Sequence, residues 1–163
     1  MLERVESTLA AIKNRLLGDE IIRKLLFHDS NNALNMLPPL IPEVEDYITL
    51  RPIFEFENKE DYMQNSMINI YTTQILPADD IKKIDGVVQI NVVCNGDKWE
   101  LVDSKIRPMQ LCDRIIQLVN NKKFTISNKV VFNTMTDLII SKKVYGYALL
   151  FEITDGGGEI EKF

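Results

Sequence analysis

Residues 87–119 decide the fold, and they read VVQINVVCNGDKWELVDSKIRPMQLCDRIIQLV. Val88, Ile90, Val92 and Cys94 point to one side of the backbone, whereas neighbours such as Gln89 point to the other. This period of two predicts a strand with one buried face. A polar turn at 95–98 follows the strand.

The same stretch predicts an amphipathic helix from about 107 to 121, opening near Pro108. Its apolar stripe consists of Met109, Leu111, Cys112, Ile115, Ile116, Leu118 and Val119, and its polar face of Gln110, Asp113, Arg114, Gln117 and Asn121. A half-buried strand and a one-sided helix each need an apolar partner, and packing on each other is the simplest solution. The prediction is an α+β fold, with a mostly antiparallel sheet of about 4–6 strands packed by this helix.

Two helices are predicted at the N-terminus. Residues 2–17 carry an apolar seam at steps of three and four, formed by Leu2, Val5, Leu9, Ile12 and Leu16. Gly18 suits the end of this helix, and Asp19 suits the cap of a second one with apolar residues at 21, 22, 25 and 26. The pair either covers the chain's own sheet, which is the preferred interpretation, or places its first helix on a neighbouring subunit.

The segment from His28 to Leu50 lacks periodicity. Asp29 or Ser30 could cap one helical turn, whereas the prolines at 38, 39 and 42 are expected to exclude a regular element and favour a stiff connection. His28 is the only histidine in the chain and has no companion ligands, so we interpret it as a surface residue at a helix end.

Further strands are predicted at 50–57, 66–76, 129–133, 137–141 and 144–154. In the last, Tyr145, Tyr147, Leu149, Phe151 and Ile153 form a bulky face opposite a largely small one. The chain is predicted to form one domain over 1–163. It comprises N-terminal helices at 1–28, a Pro-rich connection at 29–49, an α+β core at 50–154 and a flexible C-terminal tail at 155–163.

Composition restricts the class of protein. The 163 residues are 45% hydrophobic and 26% charged, as in ordinary globular proteins. A net charge of −5 argues against a body that wraps nucleic acid, although DNA could still slide past an acidic wall. The charged N-terminus does not resemble a signal peptide, and we expect Cys94 and Cys112 to be buried thiols in a reducing compartment.

No catalytic, cofactor-binding or metal-binding residue is predicted, and the chain is not expected to be an enzyme. Two cysteines eighteen positions apart and one histidine do not match a zinc site, and neither cysteine has a nearby base. The acidic residues at 43, 45, 46, 79 and 80 favour solvated turns, and the glycines at 156–158 lack the context of a phosphate loop. Lys122-Lys123 and Lys142-Lys143 flank strands, and Trp99 is interpreted as a core or rim anchor.

The order of elements carries a resemblance. Residues 89–94 form a strand, Trp99 follows, Arg107-Pro108 opens a helix that ends at 118–120, and Tyr145-Gly146-Tyr147 lies in the final strand. From about 50 to 155 this pattern resembles the small neck and tail proteins of tailed bacteriophages, the tail terminator (tail-completion) type above all.

The resemblance implies a structural virion protein that forms a ring, as a hexamer, which caps the tail tube and joins it to the head connector. It implies these partners: further copies of the chain, tail tube proteins and, in a contractile tail, sheath proteins, neck proteins, and DNA that passes without sequence-specific binding. The implied location is the head–tail junction of the virion, and the host cytoplasm during assembly. The loops around 36–46, 57–65 and 77–86 are the expected contact positions.

Other functions stay open at this point. A different neck component, such as a head-completion or stopper protein, has the same size and needs no motif. An α+β ligand-binding domain or enzyme would instead place polar groups on core faces, where this sequence has mostly Val, Ile, Leu and Cys. A regulatory adaptor would bind one protein partner as a monomer or dimer.

Overall fold

The N-terminal helical pair forms as predicted in the computed structural model, which describes residues 2–52, 66–75, 84–125 and 128–155. Helix α1 spans Leu2–Leu17 and α2 spans Glu20–Phe27. Gly18 follows the end of α1, and its N–H donates to the Asn14 carbonyl oxygen at 3.0 Å. The Asp19 carboxylate caps α2 by accepting the Ile22 N–H at 3.1 Å.

The Pro-rich connection contains more regular structure than predicted. It forms a 3-10 helix at Ala33–Asn35, a four-residue helix α3 at Ile41–Val44 and a second 3-10 helix at Glu45–Tyr47. The expectation that Pro42 excludes a helix is wrong because Pro42 lies in the first turn of α3, where its missing N–H has no partner to lose. The Ser30 hydroxyl accepts the Asn32 N–H at 3.1 Å, so it orders the turn before the first 3-10 helix without capping it.

The described residues form a six-stranded mixed sheet. Its strands are β1 Ile48–Thr49, β2 Met67–Ile75, β3 Ile84–Asn95, β4 Lys122–Lys123, β5 Asn128–Ile139 and β6 Val144–Asp155. The spatial order is β1-β2-β3-β6-β5-β4, with β1 parallel to β2 and every other pair antiparallel. The predicted α+β class and mostly antiparallel sheet are confirmed.

Two strand predictions need correction. Strands predicted at 129–133 and 137–141 are parts of one strand, β5, which ends at Ile139 and carries a register shift between Phe132 and Thr134. Of the strand predicted at 50–57, residues 50–52 lie outside any strand and 53–57 lie outside the described residues.

Helix α4 spans Arg107–Val119 and packs on the sheet. Most of its predicted stripe is buried or half-buried, but the prediction for Met109 is wrong, since its side chain is 38% exposed in the first turn. The helix stops before the predicted end, because Asn120 is its C-cap and Asn121 takes a positive φ of 59°.

One apolar core joins the helices to the sheet. The predicted inward face of β3, from Val88 to Cys94, is fully buried, and Ile12 and Leu16 of α1 belong to the same cluster. Helix α1 therefore packs on the chain's own core, as the preferred interpretation holds. None of the described helices is long and apolar enough to span a membrane.

The opposite face of the sheet buries a small apolar cluster of Met67, Val93 and Val144 and, beside it, two asparagines. Asn69 and Asn91, neighbours across β2 and β3, are 2% and 3% exposed. Asn69 donates to the Thr49 hydroxyl at 2.7 Å, and Asn91 accepts from the Gln89 side chain at 2.7 Å. On this face Gly146 lies so close to β3 that a Cβ would overlap the Val92 carbonyl oxygen. Gly146, on the small face predicted for the last strand, thus allows this close contact between β3 and β6.

Candidate assembly surfaces

Among the described residues, strand β5 leaves one edge of the sheet open. Strand β4 pairs with β5 only at Lys129 and Val130, and just beyond them the Asn120 side-chain oxygen accepts the Phe132 N–H at 2.8 Å. Over the rest of the strand, 133–139, the described residues place β6 on one side and nothing on the other. We call residues 133–139 the open edge.

Backbone groups along the open edge point outward in a regular series. At the end of β5 the Ile140 N–H donates to the Val144 carbonyl oxygen at 3.0 Å, so this residue faces β6. Because antiparallel strands alternate, the backbone groups of Met135, Asp137 and Ile139 face away from β6. Their side chains are exposed, Ile139 to 78%. Such an edge can accept another chain by backbone hydrogen bonding.

An aromatic cluster lies beside the open edge. The Trp99 ring lies 4.6 Å from that of Tyr145 and 6.2 Å from that of Tyr147, measured between centroids. These rings and the open edge line a shallow depression of about 190 Å³, and Trp99 is half-buried in it. Trp99 also packs against the apolar core, which agrees with its interpretation as a core or rim anchor.

A second surface lies at the opposite edge of the sheet, where β1 is the outermost of the described strands. A wide groove of about 520 Å³ is lined by Lys13, Glu45, Asp46, Ile48, Thr49, Leu50 and Arg51. Leu50 is 43% exposed, and its neighbours in the groove carry both signs of charge. We call this surface the β1 groove.

A third surface is apolar and belongs to the Pro-rich connection. Leu37 and Leu40 are 86% and 72% exposed. The segment is anchored through its backbone, since Arg23 donates to the Pro39 carbonyl oxygen at 2.9 Å and His28 donates to that of Leu37 at 2.7 Å. His28 also ends α2 as its C-cap, so its predicted place at a helix end is confirmed.

The structure locates only part of the predicted contact loops. The loop at 36–46 contains the exposed apolar residues, and it also contributes Glu45 and Asp46 to the β1 groove. Glu43 accepts the Leu40 N–H at 2.7 Å and so stabilises α3. The loop at 57–65, residues 77–83 with Asp79 and Asp80, and the glycines at 156–158 lie outside the described residues, while 84–86 begin β3.

Cys94 and Cys112 are free, buried thiols within the helix–sheet core, as predicted. Burial raises the pKa of Cys94 from 9.0 to about 11 and that of Cys112 from 9.0 to about 12. Both thiols are therefore protonated at neutral pH, which is the unreactive form. In the part of the chain that the structure describes, no three His, Cys, Asp or Glu side chains are grouped as metal ligands.

Among the buried polar residues, Arg107 is the charged one, and sequence reasoning missed its burial. Its side chain is 1% exposed and donates to three backbone carbonyl oxygens: Leu25 at 2.6 Å, Lys98 at 2.9 Å and Ser30 at 2.9 Å. Burial lowers the pKa of Arg107, against the opposing influence of Cys94 and Asp29. The guanidinium thus links α2, the following turn and the loop before α4, and fixes the loop that carries Trp99.

A family model named YomW matches residues 19–153. The chain belongs to the YomW family. This is a phage-associated family, named after a gene of the Bacillus phage SPBeta region. The chain has no match among curated proteins.

The YomW match covers most of the surfaces described above. It includes the whole open edge, the aromatic cluster and the groove residues from Glu45 to Arg51, whereas Lys13 and helix α1 precede it. The phage association expected from the order of elements is thereby confirmed at the level of the family.

Proposed function

We propose that this YomW-family chain is a structural subunit of a tailed-phage particle, of the tail terminator type. Its copies would close into a ring, as a hexamer, which caps the tail tube and joins it to the head connector. The observation that carries this proposal is membership of a phage-associated family over residues 19–153. The element order, which resembles tail terminators, supplies the finer assignment.

The geometry supports a protein that works by assembly. A ring subunit needs a rigid core and surfaces that other chains can cover. This chain combines one extensive core with an open strand edge and exposed apolar residues such as Leu37 and Ile139. Its buried thiols are protonated and shielded from solvent, which fits a structural role better than nucleophilic catalysis.

The partners in this proposal are further copies of the chain, the tail tube with any sheath, and the neck proteins. DNA would pass through the ring during packaging and ejection. The net charge of −5 suits such a lumen, because an acidic wall does not hold phosphate. The site of action would be the head–tail junction of the virion, reached from the host cytoplasm during assembly.

Light scattering after size exclusion, over a range of protein concentrations, tests this proposal. We expect a species near six times the 18.8 kDa subunit mass, visible as a six-fold ring by negative-stain microscopy. Because some rings close only on a template, the same chain is also mixed with purified tail tubes. Rings at tube ends support the proposal. A monomer in solution that leaves the tube ends bare overturns it.

A further inference from the structure

We infer that copies of this chain associate head to tail, with the open edge of one copy seated in the β1 groove of the next. This inference rests on the proposed function and names the contact that the ring would use. Strand β1 and the open edge lie toward opposite lateral edges of the sheet. Each copy therefore has one donor and one acceptor surface, which is the arrangement that a closed ring requires.

Apolar side chains match across the proposed contact. Ile139 is 78% exposed and Met135 36% exposed, and both lie on the α4 side of β5. In the groove, Leu50 is 43% exposed and stands beside the buried Ile48. With a volume of about 520 Å³, the groove is large enough to receive several side chains. Association would remove the three exposed side chains from water.

Charges also match across the contact. Asp137 lies between Met135 and Ile139 on the open edge, and Lys142 and Lys143 follow in the turn to β6. The groove presents Lys13 and Arg51 together with Glu45 and Asp46. In the proposed contact, Asp137 faces Arg51, and Lys142 and Lys143 face Glu45 and Asp46. Such complementarity selects a partner and its register.

The same charges disfavour the alternative contact between two open edges. If two β5 strands paired about a two-fold axis centred on Asp137, the two Asp137 carboxylates would face each other, which is destabilising. A two-fold contact would also close at a dimer and could not build a ring. A second copy bound through its β1 groove avoids the repulsion between the two carboxylates and leaves both copies with a free surface for further association.

Charge reversal tests the contact. We expect Asp137→Arg and Arg51→Asp each to raise the concentration needed for assembly about tenfold or more, because each brings like charges together. The double variant, Asp137→Arg with Arg51→Asp, should return to within about threefold of the wild type, since the pair is restored with its signs exchanged. Asp113→Arg and Lys105→Asp, at exposed positions outside both surfaces, serve as matched controls and should assemble normally.

Site-directed cross-linking tests the geometry of the contact independently of the affinity between copies. The native thiols are buried, so a Cys introduced at an exposed site is the reactive one. We expect a disulfide when an Ile139→Cys copy is mixed with a Leu50→Cys copy, and none when either variant is oxidised alone.

The outcomes separate this inference from the proposed function. The contact is overturned, without overturning the proposed function, if rings persist in all charge-reversed variants or if Ile139→Cys copies cross-link to each other. A cross-link only to tail-tube protein would also overturn it and would assign the open edge to that partner. A chain that never assembles, even on tail tubes, overturns the proposed function itself.

Discussion

Arg107 shows how a single residue can hold several segments of the chain together. Its guanidinium is buried, and among the described residues it donates to the carbonyl oxygens of Leu25, Ser30 and Lys98 and to no carboxylate. Hydrogen bonds from a charged donor are stronger than neutral ones, and losing them leaves buried acceptors unsatisfied. Arg107 should therefore contribute strongly to the stability of the folded chain.

Replacing Arg107 with Met should lower the free energy of unfolding by about 3–5 kcal/mol, because three buried carbonyl oxygens lose their donors. Urea denaturation followed by circular dichroism measures the change. Lys105→Met, two positions away at an exposed site, is the control and should stay within about 0.5 kcal/mol of the wild type. Equal stabilities for the two variants would contradict the assigned role of Arg107.

Residue-level prediction succeeded where the signal was local. The alternation from Val88 to Cys94 identified a buried face, and Asp19 followed by an apolar stripe identified a helix cap. Arg107 carried no such signal, since two of its acceptors lie 82 and 77 positions away along the chain. Backbone acceptors leave no trace in the residue types at those positions.

At the scale of elements, the helices and strands with clear periodicity were predicted, and errors arose where geometry changes within an element. Strand β5 was divided in two because its alternation changes at the register shift between Phe132 and Thr134. Such an irregularity inserts a residue without ending the strand. Helix α3 was missed because its first turn tolerates Pro42, which would disrupt a helix interior.

Two thiols buried at the contact between β3 and α4 should make the free energy of unfolding decrease at alkaline pH. The thiols of Cys94 and Cys112, one on each element, ionise near pH 9.0 when the chain is unfolded. Burial raises their pKa values to about 11 and about 12 in the folded chain. Above pH 9.0 the unfolded state loses protons that the folded state keeps. Their contribution is therefore fully present below pH 9.0 and is lost as the pH rises toward 11 and then 12.

The free energy of unfolding should consequently fall above pH 9.0, by about 1.4 kcal/mol per pH unit for each thiol. Urea midpoints measured at closely spaced pH values under reducing conditions test this. The Cys94→Ala, Cys112→Ala double variant controls for every other titrating group. It should be less stable than the wild type at pH 7, but its urea midpoint should decrease less steeply above pH 9.0. If the urea midpoints of the wild type and the double variant decreased equally with pH, the thiols would be ruled out as the cause.

At the scale of the whole molecule, side chains from α1, α2, α4 and the sheet meet in one core. The prediction of a single domain leads to a test with two probes. Trp99 is the only tryptophan and reports on the aromatic cluster beside the sheet, whereas far-ultraviolet circular dichroism reports mainly on the helices. Because the core is shared, both signals should change together in one cooperative transition.

Ile12→Ala provides the matched variant for this test. Ile12 lies on α1 and is fully buried, so its truncation should shift both transitions equally, at a cost of about 2–5 kcal/mol. Leu37→Ala, at a side chain that is 86% exposed, should shift neither. A change confined to the circular dichroism signal would show that the N-terminal helices unfold as a separate unit.

The surfaces that distinguish this molecule were only partly visible in its sequence. The loop at 36–46 was expected to make contacts, and it does present Leu37 and Leu40 to solvent. The open edge was not expected, because a free edge depends on strand order. Here β6, the last strand of the sheet in sequence, is inserted between β3 and β5. Local patterns do not determine such long-range order.

The hydrogen bonds of Arg107 have a consequence for how the family can diverge. Every carbonyl oxygen that it contacts belongs to the main chain, which is the same whichever side chains occupy positions 25, 30 and 98. Substitutions at those three positions can leave these hydrogen bonds intact, whatever other contacts of the side chains they change. A search for co-varying pairs among relatives would therefore overlook this interaction, because position 107 would not co-vary with positions 25, 30 and 98.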